Sequence, residues 1–153
     1  MTKDKKELAV AALRNGTVID HIPSDALFKV VDLLDIKSLT GSVTIGFNLD
    51  SALMGKKGII KIADVTYPES TLNRIALIAP HAVINVIKDY EVVEKHRVTL
   101  PDELIDIVKC NNPKCISNNE PMHTHLHVVD RDNTVLRCHY CECLVTKDEV
   151  TLK

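Results

Sequence analysis

The 153-residue sequence has no tryptophan, two phenylalanines and three tyrosines. Its core must therefore be aliphatic, built from Ile, Val and Leu. An excess of one charge is also missing. The 19 Lys and Arg residues stand against 21 Asp and Glu, a net of -2, which excludes the broad positive surface of a nucleic-acid coating protein. Any anionic ligand must meet a local patch. No apolar run approaches the ~18 residues of a membrane-spanning helix; the longest candidate, Ile75 to Ile87, is broken by Pro80, His81 and Asn85. The opening MTKDKKELAV lacks a hydrophobic signal core, so the chain reads as cytoplasmic and without a membrane partner. None of the patterns G-x-x-x-x-G-K-[ST], G-x-G-x-x-G, G-x-S-x-G or H-E-x-x-H occurs, so the common phosphate loops, nucleophile elbows and metalloprotease helices are absent.

What is present is a chain with 45% hydrophobic residues, too many for general disorder, and five cysteines confined to Cys110 through Cys143. That asymmetry predicts two units. A run from Leu8 to Leu13, the Asn15-Gly16 turn and the segment Thr17 to Ile22 predict a β-hairpin. Pro23-Ser24 opens a helix carrying Leu27, Phe28, Val30, Val31 and Leu34, with Ser24 as N-cap and a stop near Ile36. Thr40-Gly41 precedes a strand at Val43 to Phe47, and Gly55 to Gly58 marks a turn before a strand at Ile59 to Val65. Pro68 starts a second helix, with Leu72, Ile75, Ala76 and Ile78, that Pro80 ends. Strands at Val83 to Ile87 and Glu91 to Glu94 flank a turn at Lys88 to Tyr90. The order β-β-α-β-β-α-β-β predicts an α+β fold, a ferredoxin-like antiparallel sheet with two helices on one face, followed by a small β-rich domain that its paired cysteines mark as zinc-binding. Pro101 and the change of composition after it place the boundary between residues 1–101 and 102–153.

The small unit is too short to bury much core of its own. Cys110 and Cys115 enclose four residues, and Cys138 and Cys141 enclose His139 and Tyr140. Two such knuckles predict a four-thiolate cage for one Zn2+, closed on all sides and hence structural, with Lys109, Lys114 and Arg137 offsetting its negative charge. Iron in a rubredoxin-like site and redox thiols are the alternatives. Cys143 could replace a ligand, but Cys-x-x-Cys is the commoner knuckle. His123, His125 and His127 alternate at period two, which puts three imidazoles on one strand face, either solvated or binding metal adventitiously; His139 is expected to be exposed.

The string Asn15-Gly16-Thr17-Val18-Ile19-Asp20-His21-Ile22-Pro23, then Thr44-Ile45-Gly46, Met54-Gly55-Lys56-Lys57 and Ile60-Lys61-Ile62, together with the order and spacing of the cysteine knuckles, resembles the regulatory chains of aspartate carbamoyltransferase along essentially the whole length. The resemblance implies a non-catalytic subunit that binds CTP as inhibitor and ATP as activator in pyrimidine biosynthesis. It assigns Asp20 and Lys61 to the ribose, and Lys95 with His21 to the triphosphate. The backbone around Leu13, with Asn85, Ile87, Tyr90 and Val92, would read the base. Lys61 and Lys95 lie on candidate strands where a shared sheet edge would bring the two cations together. Ala11 departs from the family's frequent charged side chain. The implied partners are catalytic trimers, gripped by residues 102–153, and a second regulatory chain paired through residues 1–101, with no nucleic acid. The rival reading, a zinc-ribbon nucleic-acid binding protein, requires a basic, aromatic-bearing face, whereas Tyr140 is the one aromatic in the zinc unit.

Overall fold

A computed structural model describes residues 13–153. The first strand of the expected hairpin, apart from Leu13, and Ala11 lie outside the described residues. The chain divides into two compact units, one ending at Val98 and the other spanning Thr99–Lys153.

In the first unit the elements are β1 (Gly16–Pro23), α1 (Leu27–Leu33), β2 (Val43–Ser51), β3 (Gly55–Ala63), α2 (Glu69–Ile78), β4 (Val83–Lys88) and β5 (Glu91–Arg97). They form an antiparallel sheet in the order β2-β3-β1-β4-β5. The β-branched run Thr17-Val18-Ile19 suits the central strand, which is buried along most of its length. Ile19 lies opposite Ile60 and Ile84, and these three, with Ile62, are buried on the face covered by the helices. From α1 and α2, Leu27, Val30, Ile75 and Leu77 complete the core. The alternation leaves Val18, Asp20, Lys61, Asn85 and Lys95 at register positions on the opposite face.

Three local expectations change. Ser24 begins a 3-10 turn, Ser24–Ala26, before α1 and makes no side-chain cap; its buried hydroxyl lacks a hydrogen-bond partner. Asp35, in the left-handed conformation, follows α1, and a second 3-10 turn, Ile36–Ser38, takes over. The expected turn at Gly55 to Gly58 belongs to β3 instead. Asp50 pairs with Lys56 across the hairpin at 2.6 Å, which extends the ladder back to Ser51 opposite Gly55 and leaves the turn at residues 52–54. The β4–β5 turn uses Asp89 and Tyr90, both at positive φ (50° and 67°), the signature of a type I′ connection.

The second unit contains β6 (Glu103–Ile105), β7 (Val108–Lys109), α3 (Ile116–Asn119), β8 (His125–Asp130), β9 (Val135–Cys138), β10 (Leu144–Val145) and β11 (Thr151–Leu152). Strands pair as β10-β9-β8-β6 and as β11-β7. Leu100, Leu104, Val108, Leu126, Leu136 and Val145 form its small aliphatic core. Asp106 ties its loops together, contacting Lys153 Nζ at 2.7 Å, the His123 ring, and the Thr124 amide at 3.1 Å. The Lys153 contact, then that of His123, lowers its pKa from 3.8 to about 2.

Candidate functional site

The cysteine spacing becomes geometry through two tight loops. After β7 the chain turns at Asn112, whose carbonyl accepts the Cys115 amide at 3.0 Å while its side chain receives the Lys114 amide at 3.1 Å. From α3, the Asn118 amide group donates to the carbonyls of Cys110 (2.8 Å) and Asn112 (2.7 Å), and that of Asn119 to those of Pro113 (3.0 Å) and Cys115 (2.8 Å). The second loop joins β9 to β10. There the Cys138 amide donates to Cys143 O at 2.9 Å and Glu142 takes φ 64°.

The sulfurs of Cys110, Cys115, Cys138 and Cys141 lie within 4.8 Å of one another. Cys110 and Cys141 are 3.5 Å apart, and Cys115 and Cys138 are 3.7 Å apart. A tetrahedral ion with metal–sulfur bonds of about 2.3 Å spaces its ligands about 3.8 Å apart, so the residues fit such an ion as they stand. All five cysteines are unpaired by disulfide. Burial pushes the Cys110 and Cys138 thiols up. Burial also opposes the Cys141 thiolate, but the Cys143 amide, then the Asn112 side chain and Cys110, hold its pKa down to about 6. Cys143 is exposed and stands outside the group. Its backbone carbonyl closes the second loop, and its amide and thiol both contact the Cys141 sulfur.

Asp20, Lys61, Asn85, Ile87, Val92 and Lys95, among the residues assigned to a nucleotide, fall at register positions on the sheet face opposite α1 and α2. Lys61 pairs with Val18, Val18 with Asn85, and Asn85 with Lys95, so four strands contribute one transverse row. The expected shared edge does not exist, because β1 and β4 separate β3 from β5. At about 4.8 Å per strand, the two lysine positions span about 14 Å. In the neighbouring row Ile87 lies opposite Gly16 and Val92. The exposed Tyr90 donates its amide to Arg14 O at 3.0 Å, and the Asp89 amide donates to the Asn15 side chain at 3.2 Å. These two bonds bring the segment after the half-buried Leu13 against the β4–β5 turn. Asp20 accepts the His21 amide at 2.7 Å and is paired with Lys57 Nζ at 2.9 Å. His21 takes φ 59° at the irregularity in the β1–β3 ladder, and its Nδ1 is buried without a hydrogen bond. A hollow of about 520 Å³, lined by Thr17, Tyr67, Leu72, Ile84 and Val86 among others, lies on the helix-covered face and includes none of these candidates.

Comparison with known proteins matches both units. A family model described as "Aspartate carbamoyltransferase regulatory chain, allosteric domain" covers residues 8–99, and one described as its "metal binding domain" covers residues 102–151. The chain belongs to the aspartate carbamoyltransferase regulatory chain family. Among curated relatives, the regulatory chain of Bacteroides fragilis is 59% identical over 152 residues, 99% of each chain. That of Parabacteroides distasonis is 57% identical over 149 residues, 97% of each. The regulatory chain of Pyrococcus abyssi is 42% identical over 146 residues, covering 94% of this chain and 96% of its own.

A regulatory chain of aspartate carbamoyltransferase is the non-catalytic subunit and works in association with catalytic chains; the four clustered cysteines lie inside the matched metal-binding domain. No helix among the described residues is long and apolar enough to cross a membrane. Sequence reasoning missed Lys57, which it read as part of a turn, and Asn118 and Asn119, whose signal is the polar Ser-Asn-Asn run directly after Cys115-Ile116. Of the three alternating histidines expected on one strand face, His125 and His127 stay together and His123 does not. β8 begins at His125, His123 turns away to Asp106, and the exposed His139 joins His125 and His127 instead.

Proposed function

We propose that the chain senses nucleotides, CTP as inhibitor and ATP as activator of pyrimidine biosynthesis, on the sheet face of residues 1–101 that lies opposite α1 and α2, and passes the signal to catalytic chains through residues 102–153. The observation that carries this reading is the transverse row. Lys61 and Lys95 stand at opposite ends of a strip about as long as an extended nucleotide, with Val18 and Asn85 between them. Lys95, with His21, would meet the triphosphate, and Lys61 with Asp20 the ribose. The base would lie at the end of the face where Leu13, Ile87, Tyr90 and Val92 gather, contacted largely by backbone groups that a purine and a pyrimidine can both satisfy. Lys57 would hold Asp20 in place.

The ion in the four-thiolate group is Zn2+ on this reading, since four thiolates with no free position suit structural zinc. It would hold both knuckles in the shape that grips a catalytic chain. A coupling of about 1–3 kcal/mol between effector and substrate sites, a 5- to 150-fold change in affinity, is sufficient for the regulation.

Regulatory chains would pair along the β2 edge and so bridge catalytic trimers. That edge exposes Ile45 and Phe47, and Phe47 packs against the exposed Phe28 with ring centroids 5.4 Å apart. The opposite edge, β5, carries Glu91, Glu94, Lys95, His96 and Arg97, charges that discourage edge pairing. Phe47→Lys should convert a dimer to a monomer in analytical ultracentrifugation; a dimer that persists unchanged refutes this edge.

The effector site is tested by calorimetry on the zinc-loaded full chain. Lys61→Ala and Lys95→Ala should each weaken CTP binding at least about 10-fold, as loss of a charge-assisted hydrogen bond does, without altering the circular dichroism. Wild-type affinity in both variants would sink the assignment. Mixing the chain with catalytic trimers and following activity with CTP and ATP tests the function itself.

A further inference from the structure

A second group of metal-ligating side chains lies in the C-terminal unit, outside the thiolate cage. The pleat of β8 places His125 and His127 on one face. The His139 amide donates to His125 O at 2.8 Å, which folds the second cysteine loop back over that face. One ring nitrogen from each of the three histidines lies within 4.8 Å of the others. His125 stacks on His139 with centroids 4.3 Å apart at 16°, and His127 Nε2 stands 2.8 Å from His139 Nδ1. Glu103, on β6, is the cross-strand partner of His127, with its carboxylate 3.5 Å from His127 Nδ1 and 3.4 Å from His125 Nε2. That last nitrogen is buried and makes no hydrogen bond.

Three crowded imidazoles on a half-buried surface are poor solvating groups, yet this is a donor set for borderline transition ions. Metal–nitrogen bonds of about 2.0–2.1 Å space tetrahedral ligands about 3.3 Å apart, inside the range the rings already occupy. His127 turns Nε2 toward His139 and Nδ1 toward a carboxylate, the carboxylate–histidine–metal arrangement that fixes a ligand's tautomer. We propose that His125, His127 and His139 bind a second divalent transition-metal ion of the zinc or nickel class, with Glu103 orienting His127. The ion would tie β8 to the loop between Cys138 and Cys141. The inference is independent of the nucleotide site.

The test uses the full chain with one zinc per chain, dialysed against excess Zn2+ and then against metal-free buffer. Metal analysis should find two ions per chain in the wild type and one in His127→Ala. His139→Ala, an exposed position, should also retain one and serves if the first variant folds poorly. Long-range nitrogen–proton NMR should show the ring resonances of His125, His127 and His139 moving as the second ion enters, with those of His123 unmoved. One ion per chain in the wild type overturns the proposal. So does a second ion retained in both variants, which would place it elsewhere, for example at Cys143.

Discussion

Gly16 opens β1 at φ +144°, and a Cβ there would stand 2.0 Å from the carbonyl oxygen of Ile62. No rotamer relieves a clash between Cβ and backbone. Gly16→Ala must therefore spread β1 from β3, next to the row that holds the candidate effector residues. The expected cost is more than about 2 kcal/mol, in the class of backbone strain at a special conformation, measured as a lower urea midpoint; a shift below about 0.5 kcal/mol would show that the ladder accommodates the methyl. The Asn-Gly dipeptide made this glycine readable in advance, because a positive-φ turn before a β-branched run has few other spellings. The ion pair of Lys57 with Asp20 was not readable. It depends on a long-range register in which β1 and β3 meet with a bulge between Ile19 and Ile22, and residue type carries no trace of that offset.

At the scale of elements, the two helices and five strands described in the first unit were legible because their periods are plain. Leu27, Val30 and Leu34 recur at helical spacing and are buried, while the β4–β5 turn announces itself through Asp89. Boundaries failed where polar residues join a ladder, as Lys56 and Asp50 do in extending the β2–β3 hairpin. The expectation of a shared edge failed for a related reason: strand order is a property of the whole sheet, and local alternation is the same at an edge and at the centre. Likewise, the cysteine spacing named the four clustered sulfurs but not what shapes their loops. α3 does so with Asn118, bonded to two carbonyls of the first knuckle. Asn118→Ala frees both. The thiolates then lose their fixed positions, and metal affinity should fall about 10- to 100-fold, as it does when groups supporting metal ligands are removed. Competition with a chromogenic chelator measures this, and an unchanged constant would mean that the knuckle shapes itself.

For the whole molecule, the two units rest on different foundations. The first owns a broad aliphatic core, whereas the second buries six large aliphatic side chains, Leu100, Leu104, Val108, Leu126, Leu136 and Val145, around a sulfur cluster. Complete removal of metal should therefore unfold Thr99–Lys153 and release the chain from catalytic trimers, while CTP binding to the first unit is retained. Amide NMR and size-exclusion chromatography read the two outcomes separately. Assembly that survives full chelation would count against the cage as the coupling element. The division itself was visible in the sequence through the crowding of cysteines into the last third, because a short segment with a single aromatic has few other ways to hold a shape.

The four-sulfur group also acts on the chain before it folds. Joining Cys110 to Cys141 closes a loop of about 30 residues, and a covalent cross-link of that span removes about 4 kcal/mol of chain entropy from the unfolded state. An ion that grips both knuckles imposes a comparable tether, but one that can be supplied or withheld. If residues 102–153 grip the catalytic chains as proposed, a cell short of the metal would keep its catalytic chains and lose their regulatory partners, so trace-element supply would set how much of the enzyme carries them.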